Sequence, residues 1–269
     1  MGSRIDISGS CAIVTGAAGG IGLQFARELA KRKCSLMLLD INAEKLEETA
    51  EMLTRYFGVT VHHLAIDLTL PDAVERIEAA CSEFGIEPDI LINNAGIFAF
   101  RPVTDIDERK IDAFISLHVA AVTSLSRWFA IRRKQSGSGW ILNMSSMSCW
   151  MPMPGLAMYA ATKAYIRVFS RSLHYEMKDY GIGVTVACPG GISTDLFGLP
   201  ENLKRLAVNI KVLDTPENFV RNAVDRMLRG KKQYINGWIN RLSILFVGMM
   251  PTSVRMMVKH RLLDKGIIR

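Results

Sequence analysis

The sequence has little that would hold the chain in a membrane or staple it from outside. The longest uncharged apolar run, LSILFVGMM at 242–250, is about half of the roughly 20 residues a spanning helix needs. The opening MGSRIDISGSCAIVTG has no apolar core of signal-peptide length ahead of the first β-rich run, and Asp6 stands where an N-myristoylation signal needs Ser or Thr. The five cysteines, odd in number, lie scattered at positions 11, 34, 81, 149 and 188, without a CxxC pair. That pattern suits reduced thiols rather than a disulfide framework, and the location it suggests is cytoplasmic. No HExxH occurs and the five histidines lack ligand spacing, so no metal site is expected. A formal charge of +7 is spread along the chain instead of being gathered into a basic tract with interleaved aromatics, so no nucleic-acid partner is expected. There is neither an internal repeat nor a low-complexity linker, and 269 residues suffice for one large α/β domain.

What is there is an alternation. CAIVT precedes a helical pattern from about Gly20 to Arg32, SLMLLD precedes one from about Ala43 to Phe57, and VTVHHLAIDL precedes one beginning near Pro71. Further β-rich runs read DILINNAG, GWILNMSS and GVTVACPG, with a short one at 233–235. Continuous apolar runs, rather than alternating ones, predict strands buried on both faces. The βαβα order predicts a doubly wound parallel sheet of the Rossmann type, in a single domain. Residues 1–236 cover this pattern, and 237–269 read as an amphipathic extension packed on the same domain.

TGAAGGIG, Thr15 to Gly22, lies between the first strand and the first helix. Gly16, Gly20 and Gly22 permit a tight turn and close approach to a diphosphate, and the helix N-terminus adds N–H donors. The next strand ends in Asp40, whose carboxylate suits ribose hydroxyls and repels a 2′-phosphate, while Ala17, Ala18, Ile41 and Asn42 offer no basic group. This predicts NAD as the cofactor. Asp40 also fits a helix cap. Tyr159 and Lys163 in YAATK stand four positions apart and therefore share a helix face. An ammonium beside a phenol stabilises the phenolate, turning an otherwise poor base into a usable one.

TGAAGGIG, IDL with Asp67, NNAG at 93–96, NMSS ending at Ser146, YAATK, and PGGIST at 189–194 occur in this order. Together they resemble the short-chain dehydrogenase/reductase family from about residue 5 to 235, and the tail after 236 resembles that of the branch of hydroxysteroid dehydrogenases and 3-ketoacyl reductases. The resemblance implies that Tyr159 exchanges the proton at the substrate oxygen, Lys163 lowers its pKa and holds the nicotinamide ribose, and Ser146 hydrogen-bonds the substrate oxygen. Ser145 is its nearest rival, but neighbouring strand residues face opposite ways. The resemblance also implies a cofactor site formed by Thr15, Gly16, Gly20, Ile21, Gly22, Asp40, Asp67, Asn94, Ala95, Gly96, Lys163, Pro189, Gly190, Ile192 and Thr194. Thr194 would fix the carboxamide and Ile192 make a backbone contact to it, whereas Asn94 could equally serve the sheet.

One departure stands out. HVAA at 118–121 puts His118 where many relatives carry an asparagine that holds a water near the lysine. His118 either substitutes in that proton relay as a catalytic residue or is a packed helix histidine. The expected activity is NAD(H)-dependent interconversion of a secondary alcohol and a ketone on a small apolar substrate, a steroid, fatty-acyl or other lipid-like compound, which Phe98, Phe100, Trp150, Met151, Met153 and DLFGLPENLKRLAV would surround. The rival is a non-catalytic member that binds a dinucleotide or lipid; a sugar-nucleotide epimerase would need a larger C-terminal domain. Similar proteins are often dimers or tetramers, so a homo-oligomer is expected. In the extension Val254, Met257, Val258 and Leu262 form a stripe beside Arg255, Lys259 and Arg261, which suits intramolecular packing, a subunit contact or peripheral contact with a membrane.

Overall fold

The computed structural model describes residues 5–191 and 214–263. Its seven strands, β1 (Cys11–Thr15), β2 (Ser35–Asp40), β3 (Val61–Ala65), β4 (Ile90–Asn93), β5 (Gly139–Met144), β6 (Ile182–Ala187) and β7 (Gln233–Tyr234), form one parallel sheet in the order β3-β2-β1-β4-β5-β6-β7. The order reverses direction at β1, whose neighbours are β2 on one side and β4 on the other. In such a sheet the crevice beyond the strand ends at the reversal is where ligands bind.

The strands sort their side chains by parity. Ala12 and Val14 of β1, Leu36 and Leu38 of β2, and Ile90 and Ile92 of β4 pack under α1 (Gly20–Lys31) and α2 (Ala43–Phe57). Cys11, Ile13, Met37, Leu39 and Leu91 point the other way, against α3 (Ala73–Glu83) and α5 (Val122–Ser136). Both faces are therefore apolar, as the unbroken hydrophobic runs require. On the first face α7 (Pro216–Leu228) presses Phe219, Val220 and Val224 into the same core. Arg32 ties it to α1, with ion pairs to Glu28 at 2.6 Å and Asp225 at 2.7 Å.

Helix α2 matches the expected span to the residue, with Asn42 accepting from the Lys45 N–H at its start and left-handed Gly58 ending it. The third strand is shorter than its apolar run. Its ladder stops at Ala65, and Asp67 accepts from the Thr69 N–H and hydroxyl in a turn before α3. Between α4 (Glu108–Ile115) and α5 the chain makes a π-helical turn over Ser116–Ala121, so helical structure runs from Glu108 to Ser136. By length and composition this stretch could cross a membrane, but half of its most apolar window is buried against the sheet. It is a core helix. The long α6 (Ala157–Met177) follows β5 through a 3₁₀ turn at Met147–Trp150.

The extension forms α8 (Trp238–Gly248), α9 (Thr252–Val258) and a π turn through Leu263. Two contacts dock it on the domain, one of them at Gly190, which lines the crevice. A Cβ on Gly190 would lie 2.2 Å from Asn240 Nδ2, and one on Gly155 would lie 2.9 Å from Leu263 and 3.3 Å from Phe100. Of the stripe expected there, Val254 is half-buried and Met257 exposed; the side chains of Val258 and Leu262 lie outside the described part.

Candidate active site

The crevice at the sheet reversal is a cleft of about 580 Å³. Gly16, Gly20 and Ile21 line it at one end, Asn94, Ala95 and Gly96 in the middle, and Ser145, Ser146, Tyr159, Lys163, Pro189 and Gly190 at the other. Residues expected from five of the six motifs thus meet in one hollow. Thr15 and Gly22 lie beneath its floor. The Thr15 hydroxyl accepts from the Asn94 and Ala95 N–H groups, both at 2.9 Å, while Asn94 Nδ2 donates to the carbonyls of Thr15 at 3.0 Å and Gly16 at 3.2 Å. This clasp joins β1 to β4 at the reversal.

The glycine turn fits a diphosphate. A Cβ on Gly22 would stand 1.8 Å from the Gly16 carbonyl oxygen, and Gly16 itself has φ +66°. α1 begins without a side-chain cap or an acidic residue in its first turn, leaving its N–H groups and positive dipole end free to face an anion. Asp67, whose carboxylate oxygen is taken by Thr69, is not among the residues lining the cleft. Ile192 and Thr194, together with the DLFGLPENLKRLAV segment, lie outside the described residues.

Ser145 and Ser146 divide as their alternation predicts. The Ser145 hydroxyl donates to the Lys163 carbonyl at 2.7 Å and is buried. Ser146 Oγ accepts from the Ser148 N–H at 3.1 Å and interacts with Tyr159. Burial raises the Tyr159 phenol above its usual range, and the hydrogen bond with Ser146 partly opposes that rise. Phe98 packs edge-on against the phenol, ring centroids 5.0 Å apart.

Lys163 is buried, donates to the Met144 carbonyl at 2.9 Å, and has no carboxylate within ion-pair distance among the described residues. Burial pulls its pKa down to about 8. A buried ammonium with one carbonyl partner retains donors that a ribose diol in the cleft could use.

His118 sits in the π-helical turn, fully buried. Its Nε2 accepts from the Ile97 N–H at 3.0 Å, which leaves Nδ1 carrying the proton toward Thr162 Oγ1 at 2.9 Å. Burial and the Lys163 charge push its pKa down to about 2. The ring is therefore neutral, and both of its nitrogens are engaged. It holds the chain after Gly96, where a Cβ would meet Nε2 at 2.8 Å and Lys163 Nζ at 3.4 Å.

The chain belongs to the short chain dehydrogenase family, which it matches over residues 10–202. It is 32% identical over 254 residues to the very-long-chain 3-oxoacyl-CoA reductase of Anas platyrhynchos, covering 92% of this chain and 78% of that one. Among solved structures it resembles L-sorbose reductase from Gluconobacter frateurii complexed with NADPH and L-sorbose, with a TM-score of 0.77, 29% identity, and coverage of 86% of this chain and 97% of that one. It also resembles a short-chain dehydrogenase from Sphingobium yanoikuyae in complex with NADPH, with a TM-score of 0.76, 27% identity, and coverage of 94% and 96%.

Two expectations are corrected here. The prediction of NAD, and of an NAD-dependent enzyme, gives way to these NADPH complexes. The residue type alone misleads here: Asp40 uses one lone pair of each oxygen on backbone, accepting from the Ala18 and Asn42 N–H groups at 3.0 Å, so the carboxylate also braces the turn. Lys45, passed over in the sequence, lines the cleft beside Asp40 and Asn42. The helix cap at Asn42 was the available signal, since it sets Lys45 in the first turn of α2. The cytoplasmic location is likewise withdrawn: the relatives are named for very-long-chain acyl groups, and each added methylene favours a lipid phase by about 0.8 kcal/mol.

The depressed Lys163 pKa gives a prediction for the protein without ligand. Below about pH 8 the ammonium is charged in both folded and unfolded chains, and its full burial cost is present. Above that value the folded state releases the proton before the unfolded state does, so stability rises with pH until the ordinary lysine pKa is reached. Lys163→Met should therefore unfold at higher temperature than the parent at pH 7, and the gap should close toward pH 10 by on the order of 3 kcal/mol. A gap independent of pH in thermal melts would mean that the ammonium is solvated.

Proposed function

We propose that this chain is an NADP(H)-dependent oxidoreductase that interconverts a secondary alcohol and a ketone on an apolar, lipid-like substrate. The observation that carries this reading is the meeting of Ser146, Tyr159 and Lys163 in a cleft whose other end is an uncapped helix N-terminus on a glycine turn.

In this reading the N–H groups at the start of α1 hold the diphosphate, Lys45 and Asn42 attend the 2′-phosphate end, and the Lys163 ammonium holds the far ribose. When bound, the nicotinamide supplies or accepts a hydride. Tyr159 holds the proton that moves to or from the substrate oxygen; its raised pKa keeps it protonated at neutral pH, the form that serves ketone reduction. Ser146 donates to the same oxygen and offsets charge developing there. Ile97, Phe98 and Met144 keep water from the reacting face. His118 acts as a positioning residue that fixes the Gly96–Ile97 backbone.

The test is a screen of short and long-chain ketones with NADPH. Tyr159→Phe should bind NADPH almost normally while turnover falls roughly 10²- to 10⁴-fold. In the same assay Lys45→Glu should raise KM for NADPH by about tenfold or more and leave kcat nearly intact, because it sets like charge against the 2′-phosphate. Near-normal turnover in Tyr159→Phe would sink the mechanism, and an unchanged KM would remove Lys45.

The extension, 237–269 in this reading, belongs to the same domain and meets a lipid surface. In α8, Trp238, Leu242 and Phe246 recur on one helical face, exposed by 73, 46 and 62%, and Met249, just past its end, is 71% exposed. Arg241, Arg255, Lys259 and Arg261 accompany them, the complement of anionic headgroups. The chain should sediment with vesicles rich in phosphatidylserine at low salt and release as salt rises. Trp238→Ser with Phe246→Ser should lose that binding while still reducing short ketones. Equal sedimentation of parent and variant would reject this face. The expected dimer or tetramer fits the exposed Ile131 beside Trp128 on α5, and a monomer by light scattering would oppose it.

A further inference from the structure

Two of the five cysteines meet behind the active site. The β5–β6 pairing continues past both strands, with the Ser145 N–H donating to Ala187 and the Met147 N–H to Pro189, each at 2.8 Å. This laces the Met147–Trp150 turn to the chain just beyond β6. Cys149 in that turn is half-buried, Cys188 is fully buried, and both join a small apolar cluster with Val122, Ile166 and Val186. Cys149 packs against the cluster that buries Cys188, beside Trp150 and Ile235. Over the turn, the Arg167 guanidinium lies 4.4 Å from the Trp150 ring, and its Nε has no hydrogen-bond partner among the described residues. A thiol that solvent can reach thus has a second thiol and a cation beside it.

We propose that Cys149 and Cys188 form a reversible oxidation site at which a hydroperoxide closes a disulfide and disables the adjacent Ser146. The Cys149 thiolate attacks one peroxide oxygen, the O–O bond breaks, and hydroxide leaves, giving a sulfenic acid. The Cys188 sulfur then attacks the Cys149 sulfur; the S–S bond forms, the S–O bond breaks, and water carries away the Cys188 proton. Two thiols are oxidised to one disulfide, and one hydrogen peroxide is reduced to two waters. A dithiol reverses the change by exchange.

The surroundings select the attacking sulfur. Hydrogen bonding with Cys188, then with Ser145, and the charge of Arg167 hold the Cys149 thiol below its usual range against the opposing effect of burial. Burial and then the neighbouring Cys149 push Cys188 well above it. Elsewhere burial raises Cys11, lifts Cys34 to about 12 and lifts Cys81 to about 11, so these remain inert thiols. The other charged groups near the pair belong to the site itself: Cys149 bears on Tyr159, and Cys188 on Lys163. The disulfide reaches catalysis through the turn, because the Ser148 N–H between the two positions holds Ser146 Oγ.

The full chain is treated with hydrogen peroxide, alkylated with iodoacetamide, digested and mapped by mass. The expected product joins the Cys149 and Cys188 peptides with loss of two hydrogens, leaves the other three cysteines alkylated, and disappears with dithiothreitol. Cys188→Ser should stop at a sulfenic acid on Cys149 that dimedone traps, and Cys149→Ser should form no link. Ketone reduction should fall roughly tenfold or more on linking and recover with dithiothreitol, since a small misplacement of a catalytic group is costly. Cys149→Ser should keep its activity through peroxide. Alkylation of both cysteines after peroxide, or a link through another cysteine, would overturn the site; equal peroxide loss in Cys149→Ser would overturn its hold on Ser146. Only the turnover readout rests on the proposed activity, and peptide mapping decides the site even if no ketone is reduced.

Discussion

The buried ammonium of Lys163 constrains everything around it. Its charge has been taken out of water for one carbonyl bond from Met144, a poor exchange unless the site is used for something that binds there. The neighbours follow from that choice. His118 has to be neutral beside it, and a neutral histidine can accept the Ile97 N–H that would otherwise be orphaned at the end of β4. Gly96 has to be glycine, since a methyl there would strike His118 and crowd Lys163. The Ser145 hydroxyl is spent on the Lys163 carbonyl, which leaves the Ser146 hydroxyl as the one that meets Tyr159.

The sheet makes this possible by bringing distant residues to one edge. Asn93 donates to Asn143 at 2.8 Å and Asn143 to Ser170 at 2.9 Å, a buried polar line that links β4, β5 and α6. Such a line is costly when incomplete, so it fixes the register that sets Ser146, Tyr159 and Lys163 together. The Thr15–Asn94 clasp does the same between β1 and β4. One clasp holds the glycine turn at the crevice and the other holds the reacting residues, so the two halves of the site share β4.

Most of the fold and of the nucleotide half was legible because each part is local. An apolar run, a turn and a helix within about 30 residues carry their own evidence, and α2 was read to the residue because Asn42 and Gly58 mark its ends. What escaped the sequence depends on contacts between segments. Asp40 has the residue type of a ribose ligand, but the Ala18 and Asn42 N–H groups that occupy it become visible only once the turn is folded. Lys45 lies past the strand end where a basic group is expected, and the first turn of α2 brings it back to the cleft. The π-helical turn leaves no periodic signal, so the setting of His118 could not be read from spacing. Cys149 and Cys188 lie 39 residues apart, and they meet only once the Met147–Trp150 turn is laced to the chain beyond β6.

The same distinction separates the two ends of the cleft. The cofactor end is written in backbone: glycines without room for a side chain, an uncapped helix and carbonyls at strand ends, features that tolerate little change. The substrate end is written in side chains from far along the chain, with Phe98 against Tyr159, Phe100 and Leu263 closing on Gly155, and Asn240 seated on Gly190. Gly190 is also held by Asn236, whose side chain accepts its N–H at 2.7 Å. The start of the extension therefore steadies a residue that lines the cleft, while its exposed apolar helix faces outward. Packing at Gly190 thereby joins the extension to the end of the cleft that holds Ser146, Tyr159 and Lys163, while the glycine turn at the other end is built without it.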